Sequence, residues 1–135
     1  MKVVAAILTY NKKVLAFRRP YIKNNSHISL KYEFPGGKIK KNETKVTALK
    51  RELHEELNLN ISNFNEYYFT SHDYIKYKVD ISFYIARLKI LNLKLNFHNQ
   101  YKLVCIKNLK NLDWLQADFS VINYIQKNNL DSSLI

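Results

Sequence analysis

Residues Gly36–Leu59 read GGKIKKNETKVTALKRELHEELNL, and this stretch decides the fold. Two adjacent glycines open it, and Glu43, Arg51, Glu52, Glu55 and Glu56 follow. Wound as a helix at roughly 100° per residue, Thr44–Leu57 brings Val46, Leu49, Leu53 and Leu57 onto one arc, the pattern of a helix packed on a core. Glu52, Glu55 and Glu56 stand at i, i+3 and i+4 and share a neighbouring arc. Ala48 lies one turn earlier and is small enough to admit another backbone. Thr44 is placed to cap the helix at its start. Asn58 falls at its end, where left-handed backbone angles are often required and Asn tolerates them better than most residues.

Like charges at i, i+4 cost a helix roughly 0.2–0.5 kcal/mol per pair, so three crowded carboxylates want a counter-charge. Arg51 and Lys45 can supply part of it. A hard divalent ion, Mg²⁺ or Mn²⁺, supplies more, because such ions prefer carboxylate, carbonyl and water oxygens. The competing reading is a solvated acidic face. Gly36-Gly37 weighs against it, since a glycine pair lets the backbone bend sharply and brings a bare carbonyl near the acids.

These residues resemble the signature of the Nudix hydrolases, G-x5-E-x7-R-E-U-x-E-E-x-G-U, in which U is a bulky aliphatic residue. Gly37, Glu43, Arg51, Glu52, Leu53, Glu55, Glu56 and Leu59 match at the required spacing, across 23 residues. Asn58 departs, standing where the family has Gly. The likeness extends to Val3–Leu8, Val14–Arg19 and Tyr32–Lys38, which look like the MutT branch, and to Gln116–Ile122, with Gln116 in place of a family Pro.

The resemblance implies an α/β/α sandwich and a Mg²⁺-dependent (or Mn²⁺-dependent) pyrophosphohydrolase acting on a nucleoside triphosphate. The favoured substrate is 8-oxo-dGTP, in a role of nucleotide-pool sanitation. CTP or 5-methyl-dCTP is the alternative, and a non-catalytic binding module of the same fold is the alternative of another class. By the same resemblance, Gly36, Glu52, Glu55 and Glu56 are the expected metal ligands. Glu52 is the favoured base, oriented by Arg51, and Glu43 anchors the loop to the helix. Arg19, Lys38 and His27 are candidates for phosphate contact, against ordinary exposed side chains. Phe34 is a candidate wall of the base pocket, against a plain core residue. Asp118 is expected to read the base edge, against a simple helix cap. The branch often draws a further carboxylate from the loop before the penultimate strand, but His98, Asn99 and Gln100 include no acid.

Composition bounds the rest. The 135 residues, 47% of them apolar, suit one domain over 1–135 with a real core. No apolar run is long enough to cross a membrane, and the chain opens directly on a strand-like pattern, so neither a membrane partner nor a signal peptide is expected. Cys105 is the only cysteine and cannot form an internal disulfide, which suits a cytoplasmic setting; a small buried hydrophobe is its expected role. The net charge of +11 suits an anionic substrate, but the lysines are scattered, so no stable nucleic-acid partner is expected. A monomer is the expectation.

Outside the signature, 3–8 and 14–18 read as strands joined through Tyr10–Lys13, and 20–30 as a loop. Glu66–Thr70, Val79–Ala86 and Leu103–Ile106 read as further strands. Phe119, Ile122, Tyr124 and Ile125 suggest an amphipathic helix from Asp118 onward. Helices packed against a mixed sheet follow from this order.

Overall fold

The computed structural model describes residues 1–128 and 130. Strand β1 (Lys2–Tyr10) is buried from Val4 to Thr9, as an apolar run covered on both faces must be. Alternate residues serve opposite layers: Ala5 and Ile7 pack toward the C-terminal helix, Val4, Ala6 and Leu8 toward the acidic one. β1 turns into β2 (Lys13–Arg18) through Asn11 and Lys12, both at positive φ (51° and 65°), the two-residue turn whose twist matches a hairpin. β3 (Tyr32–Glu33), β4 (Gly36–Lys38), α1 (Lys45–Leu57), β5 (Asn65–Asp73), β6 (Lys78–Arg87), β7 (Gln100–Val104) and α2 (Phe119–Lys127) follow. Short stretches of 3₁₀ helix lie at Ile106–Asn111 and Gln116–Asp118.

The strands form one mixed sheet, with β1 parallel to β6 and β6 antiparallel to β5. β1 and β2 pair beside their turn and then part. Farther along, β2 takes β3 on one side and β7 on the other, since Phe17 and Arg18 pair with both. β1 takes β4 at Val3–Ala5, and the Pro35 carbonyl accepts from Ala6 N–H at 2.9 Å. The segment from Glu33 to Gly37 therefore crosses the gap where two neighbouring strands separate, directly under α1.

Helix α1 covers one face of the sheet. Thr44 Oγ1 accepts from Thr47 N–H at 3.1 Å and caps its start, and Asn58 ends it at φ 57°, ψ 31°. Leu49, Leu53 and Leu57 are fully buried, each contributing about 1.5–3 kcal/mol of apolar burial, while Val46 is only partly buried at the margin. The opposite face is covered by α2 through Val121, Ile122 and Ile125, and by Trp114 and Leu109. This is the expected α/β/α sandwich.

Three local expectations are corrected. The run Leu103–Ile106 is strand only at Leu103 and Val104; β7 begins at Gln100, and Ile106 starts the 3₁₀ stretch instead. On α2, Phe119 and Tyr124 stay exposed at 52% and 37%, so Val121 takes the core position they were expected to share. Cys105 is half-buried between β7 and that stretch. Among the described residues no helix is long and apolar enough to cross a membrane.

Candidate active site

The glycine pair packs so closely that no side chain fits. A Cβ on Gly36 would lie 2.0 Å from the Val4 carbonyl oxygen, and one on Gly37 would lie 2.4 Å from Glu52 Oε1. The Glu52 carboxylate thus rests on the bare Gly37 backbone. Beside it, the Gly36 N–H donates to Glu56 Oε1 at 3.1 Å. Two of the three helix carboxylates converge on the Gly36-Gly37 backbone, and Glu55 stands on the open side of the same helix face, 53% exposed.

Arg51 holds this arrangement together. Its Nε and Nη2 donate to Glu43 Oε2 and Oε1 at 2.7 and 2.9 Å, a two-pronged ion pair. Nη1 donates to Glu52 Oε1 at 2.9 Å, and Nη2 also reaches the Lys38 carbonyl at 3.0 Å. The Lys40 N–H adds a bond to Glu43 at 2.8 Å. The Arg51 bond, then the Lys40 N–H, hold the Glu43 carboxyl at about 2, far below its ordinary value. In return the Glu43 bond makes the Arg51 proton still harder to lose. Glu43 therefore anchors loop to helix, as expected, and Arg51 fixes Glu52. Lys45 stays apart from this cluster, its ammonium 6.0 Å over the Phe69 ring.

Glu56 is buried, and its carboxyl is pushed up to about 8, first by burial and then by the charges of Glu33 and Glu52, against the opposing Gly36 N–H. A bound cation would relieve both the burial and the repulsion. The donor set formed by Glu52, Glu56 and the nearby Glu55 is all oxygen, and two of its carboxylates lie against the glycine backbone. Such a set fits a hard divalent cation through its carboxylate oxygens, not through space at the glycine pair.

Glu33 and His98, to which the sequence alone assigned no role, complete the buried part. His98 Nε2 lies 2.7 Å from Glu33 Oε2 and 3.8 Å from Glu56 Oε2. The loop between β6 and β7 places it there by serving the open end of α1: Lys94 N–H donates to the Leu57 carbonyl at 3.0 Å and Asn96 N–H to the Glu56 carbonyl at 2.9 Å. Asn96 Nδ2 donates to the Glu55 carbonyl at 3.0 Å. Asn99 turns away, its Oδ1 accepting from Arg18 Nε at 2.9 Å, and the Gln100 amide donates to the Tyr32 hydroxyl. Of the three loop residues, only His98 meets the acids.

The other candidates divide. Arg19 joins the site: Nη1 donates to Glu33 Oε1 at 3.0 Å, and its guanidinium lies 5.1 Å from the centre of the Phe97 ring. Lys38 contributes its carbonyl, while its side chain is exposed. His27 is exposed in the loop before β3, and no hydrogen bond ties it to the acids among the described residues. Phe34 is buried, its ring 4.8 Å from that of Trp114 and 6.0 Å from that of Phe83. Asp118 is buried at the start of α2 and makes no side-chain cap, so the capping alternative fails. Burial, then Glu33, push its carboxyl well above the ordinary range, against a hydrogen bond from the Phe34 backbone.

Comparison with known proteins places the fold and the family. The family model described as NUDIX domain matches residues 1–119. A Buchnera aphidicola (subsp. Acyrthosiphon pisum) protein named 8-oxo-dGTP diphosphatase is 34% identical over 126 residues, covering 91% of this chain and 94% of its own. The crystal structure of a MutT protein from Methanosarcina mazei superposes with a TM-score of 0.80 at 21% identity, over 96% of both chains. The solution structure of the E. coli ORF135 protein superposes at 0.77 and 20% identity, over 96% of this chain and 94% of that one. The chain belongs to the Nudix family and is a MutT-like Nudix hydrolase acting on phosphorus-containing anhydrides.

Proposed function

We propose that the chain is a divalent-metal-dependent nucleoside triphosphate pyrophosphohydrolase whose favoured substrate is 8-oxo-dGTP. The observation that carries this reading is the convergence of Glu52 and Glu56 on the bare Gly36-Gly37 backbone, with Arg51 clamping Glu52 to Glu43. The 34% identical Buchnera relative bears the name of that activity.

In this reading Glu52, Glu55, Glu56 and the Gly36 carbonyl hold Mg²⁺ or Mn²⁺. The ion, when bound, neutralises charge on the phosphate oxygens. Glu52 accepts the proton of the attacking water, and Arg51 keeps its carboxylate turned to receive it. The water oxygen bonds to phosphorus, the bridging P–O bond breaks, and nucleoside monophosphate and pyrophosphate leave. Arg19, beside Glu33, and the exposed Lys38 are the cations assigned to the phosphate chain in this reading.

Asp118 supplies the base preference. Burial, then Glu33, favour the protonated form of its carboxyl, and that form offers one donor and one acceptor side by side. The 8-oxo purine offers a complementary pair, an acceptor at O6 and an N–H at N7. Guanine offers two acceptors and sets its N7 lone pair against the Asp118 carbonyl oxygen, which a buried site penalises heavily. Phe34 walls the same pocket.

The test is pyrophosphate release with Mg²⁺ at low micromolar 8-oxo-dGTP, dGTP, CTP and 5-methyl-dCTP. Preference for 8-oxo-dGTP over dGTP is expected. Preference for the cytidine nucleotides overturns the substrate and keeps the chemistry, and no release from any of them overturns the reading.

A further inference from the structure

His98 stands against two carboxylates. The side chain is buried, and its Nε2 and one oxygen each of Glu33 and Glu56 lie within 4.8 Å of one another. A hydrogen bond from His98 to Glu33 explains the contact of 2.7 Å but not the second carboxylate beyond it at 3.8 Å. Arg19 offsets Glu33 from one side only, through Oε1, so the Oε2 atoms of both glutamates are left facing the imidazole. Glu33 thus has a guanidinium partner, whereas no lysine or arginine forms an ion pair with Glu56 among the described residues.

We propose that Glu33, Glu56 and His98 form a mixed nitrogen–oxygen site that takes a first-row transition ion, Zn²⁺ or Co²⁺ most tightly and Mn²⁺ more weakly, in preference to Mg²⁺. The donor chemistry sets the preference. Imidazole nitrogen suits transition ions, whereas Mg²⁺ favours carboxylate, carbonyl and water oxygens. Donors about 2.0–2.2 Å from a shared ion stand roughly 3–3.5 Å from each other. The two spacings from His98, 2.7 and 3.8 Å, bracket that range, and all three donors lie within 4.8 Å of one another. Ligation needs a lone pair at Nε2. In the neutral imidazole the ring's one proton then sits on Nδ1, a change of tautomer with no net loss of a proton. The site deepens the preceding reading and rests on it, because Glu56 serves both this site and the proposed acidic metal cluster.

The test uses the full, tag-free chain without nucleotide, titrated with Mn²⁺ and followed by electron paramagnetic resonance. Pulsed measurement of the bound ion then reports any nitrogen ligand. The wild type is expected to show imidazole ¹⁴N modulation. His98→Gln is expected to lose it, with Mn²⁺ affinity down by at least about tenfold, while Mg²⁺ affinity moves less than about threefold. The wild-type spectrum decides the matter even if the variant fails to fold. Bound Mn²⁺ without ¹⁴N modulation overturns this proposal and leaves the acidic cluster standing. No bound Mn²⁺ at millimolar concentration overturns both.

Discussion

Arg51 grips Glu43 through two parallel bonds of 2.7 and 2.9 Å, and the same guanidinium holds Glu52 at 2.9 Å. One side chain thus ties the loop after β4 to the face of α1 and sets the angle of the proposed base. A lysine carries the charge but not the fork, so Arg51→Lys is not conservative here. It is expected to lower kcat by about 10²-fold, the scale of a small misplacement at the reacting centre, with a smaller change in KM.

The same pair makes a pH signature. The Glu43 carboxyl is held at about 2 in the folded chain, against 4.5 ordinarily. A depressed carboxylate contributes stability that is present above its ordinary value and is lost as pH falls toward 2. Melting curves between pH 6 and pH 2.5 should therefore show wild type losing its advantage over Glu43→Gln. An advantage that stays constant through that window would contradict the pairing.

The two glycines predict different failures. A Cβ on Gly36 meets fixed backbone at Val4, so Gly36→Ala should unfold the chain or destabilise it by more than the ~1–3 kcal/mol usual for overpacking. A Cβ on Gly37 meets only the movable end of Glu52, so Gly37→Ala should fold and lose most of its turnover. Thermal melts beside turnover separate the two. Equal loss of stability in both would contradict the packing described.

Glu56 has the opposite sign to Glu43. Its carboxyl stands at about 8 in the folded chain, against 4.5 ordinarily. A raised carboxyl makes the metal-free protein less stable as pH climbs through that window, because the unfolded chain gives up its proton first. Glu56→Gln keeps an acceptor for the Gly36 N–H and removes the charge. In EDTA it should therefore melt above wild type at pH 8, by a margin that shrinks toward pH 5. Asp118 shares the sign in both proteins and cancels from the comparison. A margin independent of pH would contradict the buried charge.

Asn58 occupies the left-handed position that the family signature gives to Gly, at φ 57°. Asn58→Gly should leave the melting temperature nearly unchanged, whereas Asn58→Ala should cost about 1–2 kcal/mol. Calorimetry on the two variants checks this.

What is legible in the sequence follows the range of the interactions. Thr44, the leucine arc and Asn58 act within one helix, so α1 can be read with both ends correct. The Glu43–Arg51 clamp spans eight residues and is within reach of the spacing. His98 and Glu33 lie 65 positions apart, and a loop that caps α1 brings them together, so no local pattern announces them. A histidine two residues beyond the loop's capping asparagine is the one hint. The Leu103–Ile106 run misleads because its apolar end serves a 3₁₀ stretch, while Gln100 and Tyr101 open the strand. Phe119 and Tyr124 mislead because two helix faces carry apolar residues and only tertiary packing chooses between them.

The measurement that bears most directly on the central claim is turnover of 8-oxo-dGTP by Glu52→Gln beside wild type, with Mg²⁺ and with folding checked by circular dichroism. Removal of the base should lower kcat by about 10²–10⁴-fold with the fold intact. Unchanged turnover in a folded Glu52→Gln protein would contradict the assignment of the chemistry to this helix.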